Sequence, residues 1–182
     1  MTASQLDQLL VERVNSQQEI VDVDEPVIKL VIFRLGEQYF AFTGASIKEV
    51  IPGDETIYYL PAMPASVEGV MNVRGDIESV IRLNALLQLT SNEANAGTHS
   101  NTANNSNTST ILLGKGKSMQ SGLRVDQLLD VVDVPESQLK EAPQALPEYL
   151  QPFVTSLLSF NNLAVTVLDL DAVFAAWLAG QG

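Results

Sequence analysis

Few side chains in this sequence are suited to nucleophilic, metal or redox chemistry. Its 182 residues include no cysteine, and the single histidine, His99, lies in a polar tract. Disulfides, thiolate zinc sites and thiol nucleophiles are therefore excluded. A Ser-His-Asp arrangement also lacks its usual parts. We expect no enzymatic activity, no metal and no cofactor.

Two short motifs could bind a phosphate or a divalent cation. Gly114–Ser118 ends like a P-loop, but Ile111 stands where that motif needs a glycine, and a strand is expected to follow. Asp169 and Asp171 form a carboxylate pair beside a predicted helix. We interpret the first motif as a basic hairpin tip, and the second as helix-cap and turn positions.

Arg74 is a candidate recognition residue. It ends an apolar strand directly before Gly75, in a chain with 10 Lys and Arg against 22 Asp and Glu. It could pair with a local carboxylate, Asp76 or Glu78, or it could anchor a partner's carboxylate or backbone. Spacing alone does not separate these two roles.

Composition favours a protein that acts through its surface. The chain is 46% hydrophobic, has 6% aromatic residues and carries a formal charge of -12. That charge disfavours binding to nucleic acid or to an anionic membrane. No secretory signal is visible at residues 1–10, and no apolar run approaches the length of a membrane helix. We expect a soluble, cytoplasmic protein with one compact domain or two small lobes that share a core.

The ends of the predicted domain are marked by changes in pattern. Residues 1–25 combine helical apolar spacing with an acidic stretch and predict an N-terminal extension, which packs on its own domain, frays or docks on a partner. Residues 90–110 are nearly all small and polar, and predict a disordered insertion between neighbouring strands.

Between these segments the pattern is mainly β. Short strands with frequent turns indicate an all-β barrel or sandwich. Residues 45–51 are ambiguous between strand and helix. The predicted strands cover 27–35, 39–42, 57–60, 69–74, 77–82, 110–113, 123–126, 157–160 and 163–168, with a tight turn at Gly75-Asp76, a left-handed turn at Asn161-Asn162, and helices at 83–89 and 170–179.

Several motifs in the same order resemble the CheW family of chemotaxis coupling proteins. The strongest is Val-Glu-Gly-Val-Met-Asn-Val-Arg-Gly at 67–75, which resembles the family's Gly-Val-x-Asn-hydrophobic-Arg-Gly hallmark. The resemblance covers residues 27–177. The other matching segments are 33–42, 47–51, 60–61, 122–126, 131–134 and 165–170.

The resemblance implies a mainly β fold of two small SH3-like β-barrel subdomains side by side, with a few short helices, over residues 26–179. It also implies a non-catalytic adaptor that couples the cytoplasmic tip of methyl-accepting chemoreceptors to the regulatory domain of a CheA-type histidine kinase. Such an adaptor is cytoplasmic and is recruited to receptor arrays at the membrane. The partner-binding residues carried over by motif are Ile47, Glu49, Gly69, Asn72, Arg74 and Gly75. Among them Arg74 is expected chiefly to orient the groove between the barrels, and only secondarily to contact a partner.

The sequence also departs from the family pattern. Arg82 stands where an acidic residue is common, Pro152 follows the Tyr149–Gln151 segment in place of glycine, and the 90–110 tract is long. These departures suit a PilI-type variant, a scaffold of a type IV pilus or other non-flagellar pathway. The alternative of a different class is a small acidic ligand-binding or hydrolytic β protein.

Overall fold

The computed structural model describes residues 25–89 and 109–180. Two 3-10 turns, Gly44–Ser46 and Glu136–Gln138, connect elements of these ranges. The strands are β1 Val27–Leu35, β2 Gln38–Thr43, β3 Ile47–Pro52, β4 Val67–Val73, β5 Asp76–Arg82, β6 Thr110–Lys115, β7 Gln120–Val125, β8 Gln127–Pro135, β9 Lys140–Glu141, β10 Val154–Phe160 and β11 Leu163–Leu168, and the helices are α1 Leu83–Leu86 and α2 Leu170–Ala179.

The strands form two sheets, which define two lobes. The first lobe has the strand order β8-β1-β2-β11-β10-β9, and the second has the order β3-β6-β7-β5-β4. The first lobe therefore combines strands from both ends of the described chain, while the second is built from the middle. Most neighbouring strands are antiparallel, but β2 pairs with β11 and β5 pairs with β7 in parallel.

The buried hydrophobic side chains form three clusters, and one of them joins the two lobes. In β1, Leu30 and Ile32 belong to a cluster confined to the first lobe, whereas Val31, Phe33 and Leu35 belong to a larger cluster. Both faces of β1 are therefore buried, because side chains alternate along a strand. The larger cluster, here called the shared core, also contains residues of the second lobe. A third cluster, which includes Met71 and Leu113, lies within the second lobe alone.

Helix α2 closes the chain against the shared core. Asp169 caps it as predicted, since its carboxylate accepts hydrogen bonds from the backbone N–H groups of Asp171 and Ala172. Phe174 is fully buried in the shared core, and the Trp177 indole N–H donates to Ser66 Oγ at 3.2 Å. The helix therefore joins the C-terminal strands to the second lobe.

Most predicted hairpins are confirmed. The turn between β10 and β11 uses Asn161 and Asn162 with positive φ, and Gly114–Ser118 lies at the tip of the β6–β7 hairpin. The ambiguous segment 45–51 resolves into a 3-10 turn followed by β3.

Three local predictions are wrong. Residues 57–60 form a single bridge, Tyr58 to Val70, and no strand, because their pairing with β4 is limited to this one residue pair. Helix α1 ends at Leu86, three residues before the predicted end. Strands β5 and β6, which flank the 90–110 tract, are not neighbours, because β7 lies between them.

The predicted N-terminal extension, 1–25, and the predicted insertion, 90–110, are only partly inside the described ranges. Thr110 opens β6, and Ser109 O accepts a hydrogen bond from Gly53 N at 3.0 Å, so these two residues belong to the second lobe. Residues 90–108, with His99 among them, and residues 1–24 of the extension lie outside the described residues.

Candidate partner-binding site

The β4–β5 hairpin turns at Arg74-Gly75, one residue earlier than predicted. Both residues have positive φ, 53° for Arg74 and 95° for Gly75, which matches the twist that two-residue hairpin turns favour. The Asn72 side-chain oxygen accepts a hydrogen bond from Gly75 N at 2.8 Å and supports the turn. Arg74 is therefore a turn residue in the left-handed region, and not the last residue of a strand.

Arg74 pairs with Glu49 of β3. Its Nη2 lies 2.8 Å from Glu49 Oε1, and the two side chains are 80% and 26% exposed. The expected local partners, Asp76 and Glu78, are not the ones used. The ion pair uses one guanidinium nitrogen on Glu49, and the rest of this exposed group is accessible to a partner.

The Glu49–Arg74 pair joins the two outer strands of one sheet. In the second lobe β3 and β4 lie at opposite ends of the strand order, so their contact requires the sheet to curl until its edges meet. We call this meeting line the seam. The segment after β3 runs along it, where Tyr58 and Val70 exchange backbone hydrogen bonds of 2.7 and 2.9 Å.

A second ionic contact lies near the other end of the seam. Arg124 of β7 binds both carboxylate oxygens of Glu68, with Nε–Oε2 at 2.6 Å and Nη2–Oε1 at 2.7 Å. Its Nη1 also donates to Gly53 O and Ser109 Oγ, both at 3.0 Å. Sequence reasoning missed this cluster, since Glu68 and Arg124 are 56 residues apart and only the curled sheet brings them together.

Glycine is needed at position 69 because the segment of Ile57 and Tyr58 passes close to the backbone of β4. A Cβ at this position would collide with the backbone carbonyl of Tyr58 and lie 2.8 Å from Ile57 Cγ2. By contrast, a Cβ on Gly75 would meet nothing within 4 Å, so only the positive φ of Gly75 favours glycine there. The two glycines of the hallmark therefore serve different physical needs.

Exposed apolar side chains lie on the β4–β5 hairpin and along the seam. Ile77, directly opposite Asn72 in the hairpin register, is 67% exposed. Tyr58, opposite Val70 across the seam, is 59% exposed, and the adjacent Tyr59 is 77% exposed. The two adjacent tyrosines are visible in the sequence, but the pattern of residues 57–60 predicts a strand and does not indicate an exposed surface.

The six predicted site residues all lie on β3 and the β4–β5 hairpin. Glu49, Asn72, Arg74 and Gly75 come together at one end of the seam, and Gly69 lies in its middle. Ile47 is different, because its half-buried side chain packs against the shared core. It supports the start of β3 and has no described contact with the ion pair.

The carboxylates near α2 have structural partners. Asp169 caps the helix, and Asp171 Oδ1 accepts a hydrogen bond from Lys117 N at 2.7 Å. Within residues 25–89 and 109–180, no group of three or more histidine or acidic side chains is arranged to hold a metal ion. The helices of the same two ranges are all too short or too polar to cross a membrane.

Known proteins resemble this chain in sequence. Residues 29–176 match the family model of the CheW-like domain. The chemotaxis protein CheW of Rhizobium meliloti is 25% identical over 80% of this chain and 86% of that protein. The Bacillus subtilis chemotaxis protein CheW is 22% identical over 80% of this chain and 85% of that protein.

A solved structure agrees with the fold. The crystal structure of the scaffolding protein TtCheW from Thermoanaerobacter tengcongensis superimposes with a TM-score of 0.66 at 23% identity, over 82% of this chain and 93% of that one. This likeness confirms the predicted fold class, mainly β with two SH3-like subdomains and a few short helices. Because the family model matches residues 29–176, which are most of this chain, the chain belongs to the CheW-like domain family.

Proposed function

We propose that this protein is a non-catalytic adaptor that couples chemoreceptors to a CheA-type histidine kinase in a bacterial chemosensory array. Residues 26–179 would act as one domain, located in the cytoplasm and recruited to receptor arrays. The observation that carries this proposal is the Glu49–Arg74 pair, which holds an 80% exposed arginine in a fixed place. Relatives named chemotaxis protein CheW support the same role.

The chemistry of the surface favours a partner with both apolar and acidic side chains. Arg74 has guanidinium donors beyond the one used on Glu49, and arginine binds carboxylates and carbonyl groups through such donors. Ile77, in the same hairpin, and Tyr58 and Tyr59, farther along the seam, offer exposed apolar area. Interface hot spots are enriched in arginine and tyrosine. The receptor's cytoplasmic tip and the kinase regulatory domain are the two partners proposed for this surface.

Within this surface the proposed roles differ. Arg74 and Glu49 make or orient polar contacts, while Gly69, Asn72 and Gly75 shape the hairpin that presents them. Ile47 holds the first residues of β3 against the shared core and acts on the surface indirectly.

The test is equilibrium binding of the purified protein to a CheA-type regulatory domain and to a receptor-tip fragment. We expect Arg74→Ala to weaken binding to at least one partner by about tenfold or more, as for a typical interface hot spot. The matched control is Arg34→Ala, which removes an arginine at the β1–β2 hairpin that donates to Gly36 O at 2.9 Å. That control should stay within about twofold of the wild type.

Two results would overturn the proposal. Failure of the wild-type protein to bind either partner would exclude the coupling role. Equal affinities of the wild type and folded Arg74→Ala would remove Arg74 from the partner-binding surface.

A further inference from the structure

One guanidinium touches both edges of the curled sheet in the second lobe. Arg124 extends from the inner strand β7 and binds Glu68 at the start of β4 through two nitrogens. Its third nitrogen donates to the carbonyl of Gly53, the residue that directly follows β3. Arg124 and Glu68 are 20% and 19% exposed, so water competes weakly for these contacts.

Glu68 occupies a β-bulge at the base of the hairpin. The pairing of β4 with β5 shifts register between Val67 and Gly69, which leaves Glu68 as the extra residue. A bulge bends its strand and re-aims the side chains that follow. The bidentate ion pair of Arg124 with Glu68 therefore constrains the direction in which β4 runs toward Arg74.

The two edges held by Arg124 are the same two that meet at the other end of the seam. Strand β3 carries Glu49 near its start and ends next to Gly53, while β4 starts next to Glu68 and ends next to Arg74. Fixing the spacing of the strands at one end limits the geometry available to the ion pair at the other.

We infer that Arg124 is a positioning residue for Arg74, acting through Glu68 and Gly53 to set the register and spacing of the seam. The binding test of this inference rests on the proposed adaptor function, but its structural test does not. A lysine cannot substitute, because one ammonium group does not reproduce the planar fork that binds two carboxylate oxygens and a carbonyl together.

The test is a double-mutant cycle on partner affinity with wild type, Arg124→Lys, Arg74→Ala and the double variant. We expect Arg124→Lys alone to weaken binding by about twofold to thirtyfold, the range typical of indirect coupling. In the Arg74→Ala background the same change should alter affinity by less than about twofold. The matched control is Arg82→Lys, since Arg82 is exposed and in register with Arg124 on the neighbouring strand β5.

A second readout needs no partner. In two-dimensional NMR spectra, Arg124→Lys should shift the amide signals of residues 72–75, whereas Arg82→Lys should leave them in place. This measurement decides the inference if the wild type binds neither partner, or if Arg74→Ala leaves no measurable binding.

Three results would overturn the inference. Equal losses from Arg124→Lys in both backgrounds would show that Arg124 acts independently of Arg74. Unchanged affinity with lowered thermal stability would reduce Arg124 to a purely structural role. Unchanged amide signals at residues 72–75 would show that the two ends of the seam are uncoupled.

Discussion

Arg74 Nη2 lies 2.8 Å from Glu49 Oε1, across the two outer strands of a single sheet. An ion pair this exposed contributes at most about 1 kcal/mol to folding, since water and salt screen it. Its main effect is geometric, because Glu49 holds one guanidinium nitrogen and so restricts the orientation of the rest.

Replacing Arg74 by glycine should separate the effect of this residue on partner affinity from its effect on the stability of the fold. Arginine at φ 53° carries conformational strain of about 1 kcal/mol, and alanine would carry the same strain. We therefore expect Arg74→Gly to be more stable than Arg74→Ala by about 1 kcal/mol. Both variants should show the same loss of partner affinity, measured alongside urea unfolding. Greater stability of the alanine variant would contradict the assigned left-handed conformation.

The two hallmark glycines should respond differently to alanine. Gly69→Ala places a Cβ against the Tyr58 carbonyl, and we expect it to lower the free energy of unfolding by about 3 kcal/mol through overpacking and backbone strain. Gly75→Ala meets open space and should cost only the strain of a positive φ, about 1 kcal/mol. Urea denaturation of both variants measures the difference. Equal costs would mean that the segment around Tyr58 does not pack against β4.

The two lobes should unfold together because they share a core. Leu112 is fully buried in the shared core, and its truncation to alanine should cost about 2–5 kcal/mol. The single tryptophan, Trp177, packs against the same core and reports its loss by fluorescence. We expect fluorescence and far-ultraviolet circular dichroism to give coincident transitions in the wild type and in Leu112→Ala. Two separated transitions would show that the lobes are independent.

The cap of α2 should contribute measurably to stability. Asp169→Ala removes the acceptor of two backbone N–H groups, at 2.9 and 3.4 Å, and should cost about 1 kcal/mol. Asp169→Asn keeps a capping oxygen and should cost less. Thermal unfolding of the two variants compares them. An asparagine variant as unstable as the alanine variant would point to the charge of Asp169, and not to its hydrogen bonds, as the source of stability.

Short sequence patterns predicted strands and turns well where the residue types present suit a particular backbone conformation. Asn161-Asn162 tolerates the left-handed conformation, and two β-prone runs predicted the strands on either side of Gly75. The turn itself was predicted one residue late, because an arginine is not expected at positive φ. The strand predicted at 57–60 is wrong: its residue types suit a strand, but its pairing with β4 is limited to the Tyr58–Val70 bridge.

The sequence by itself determined the β character, the closing helix and its cap, and the motifs that identify the family. Each of these depends on neighbouring residues or on ordered short motifs. The tertiary structure alone decided that Arg74 pairs with Glu49 and that Arg124 reaches Glu68 and Gly53. Those contacts depend on how far the sheet curls and on which strands become its edges. Curling and strand order are set by the burial of side chains from both lobes at once, and no local pattern specifies them.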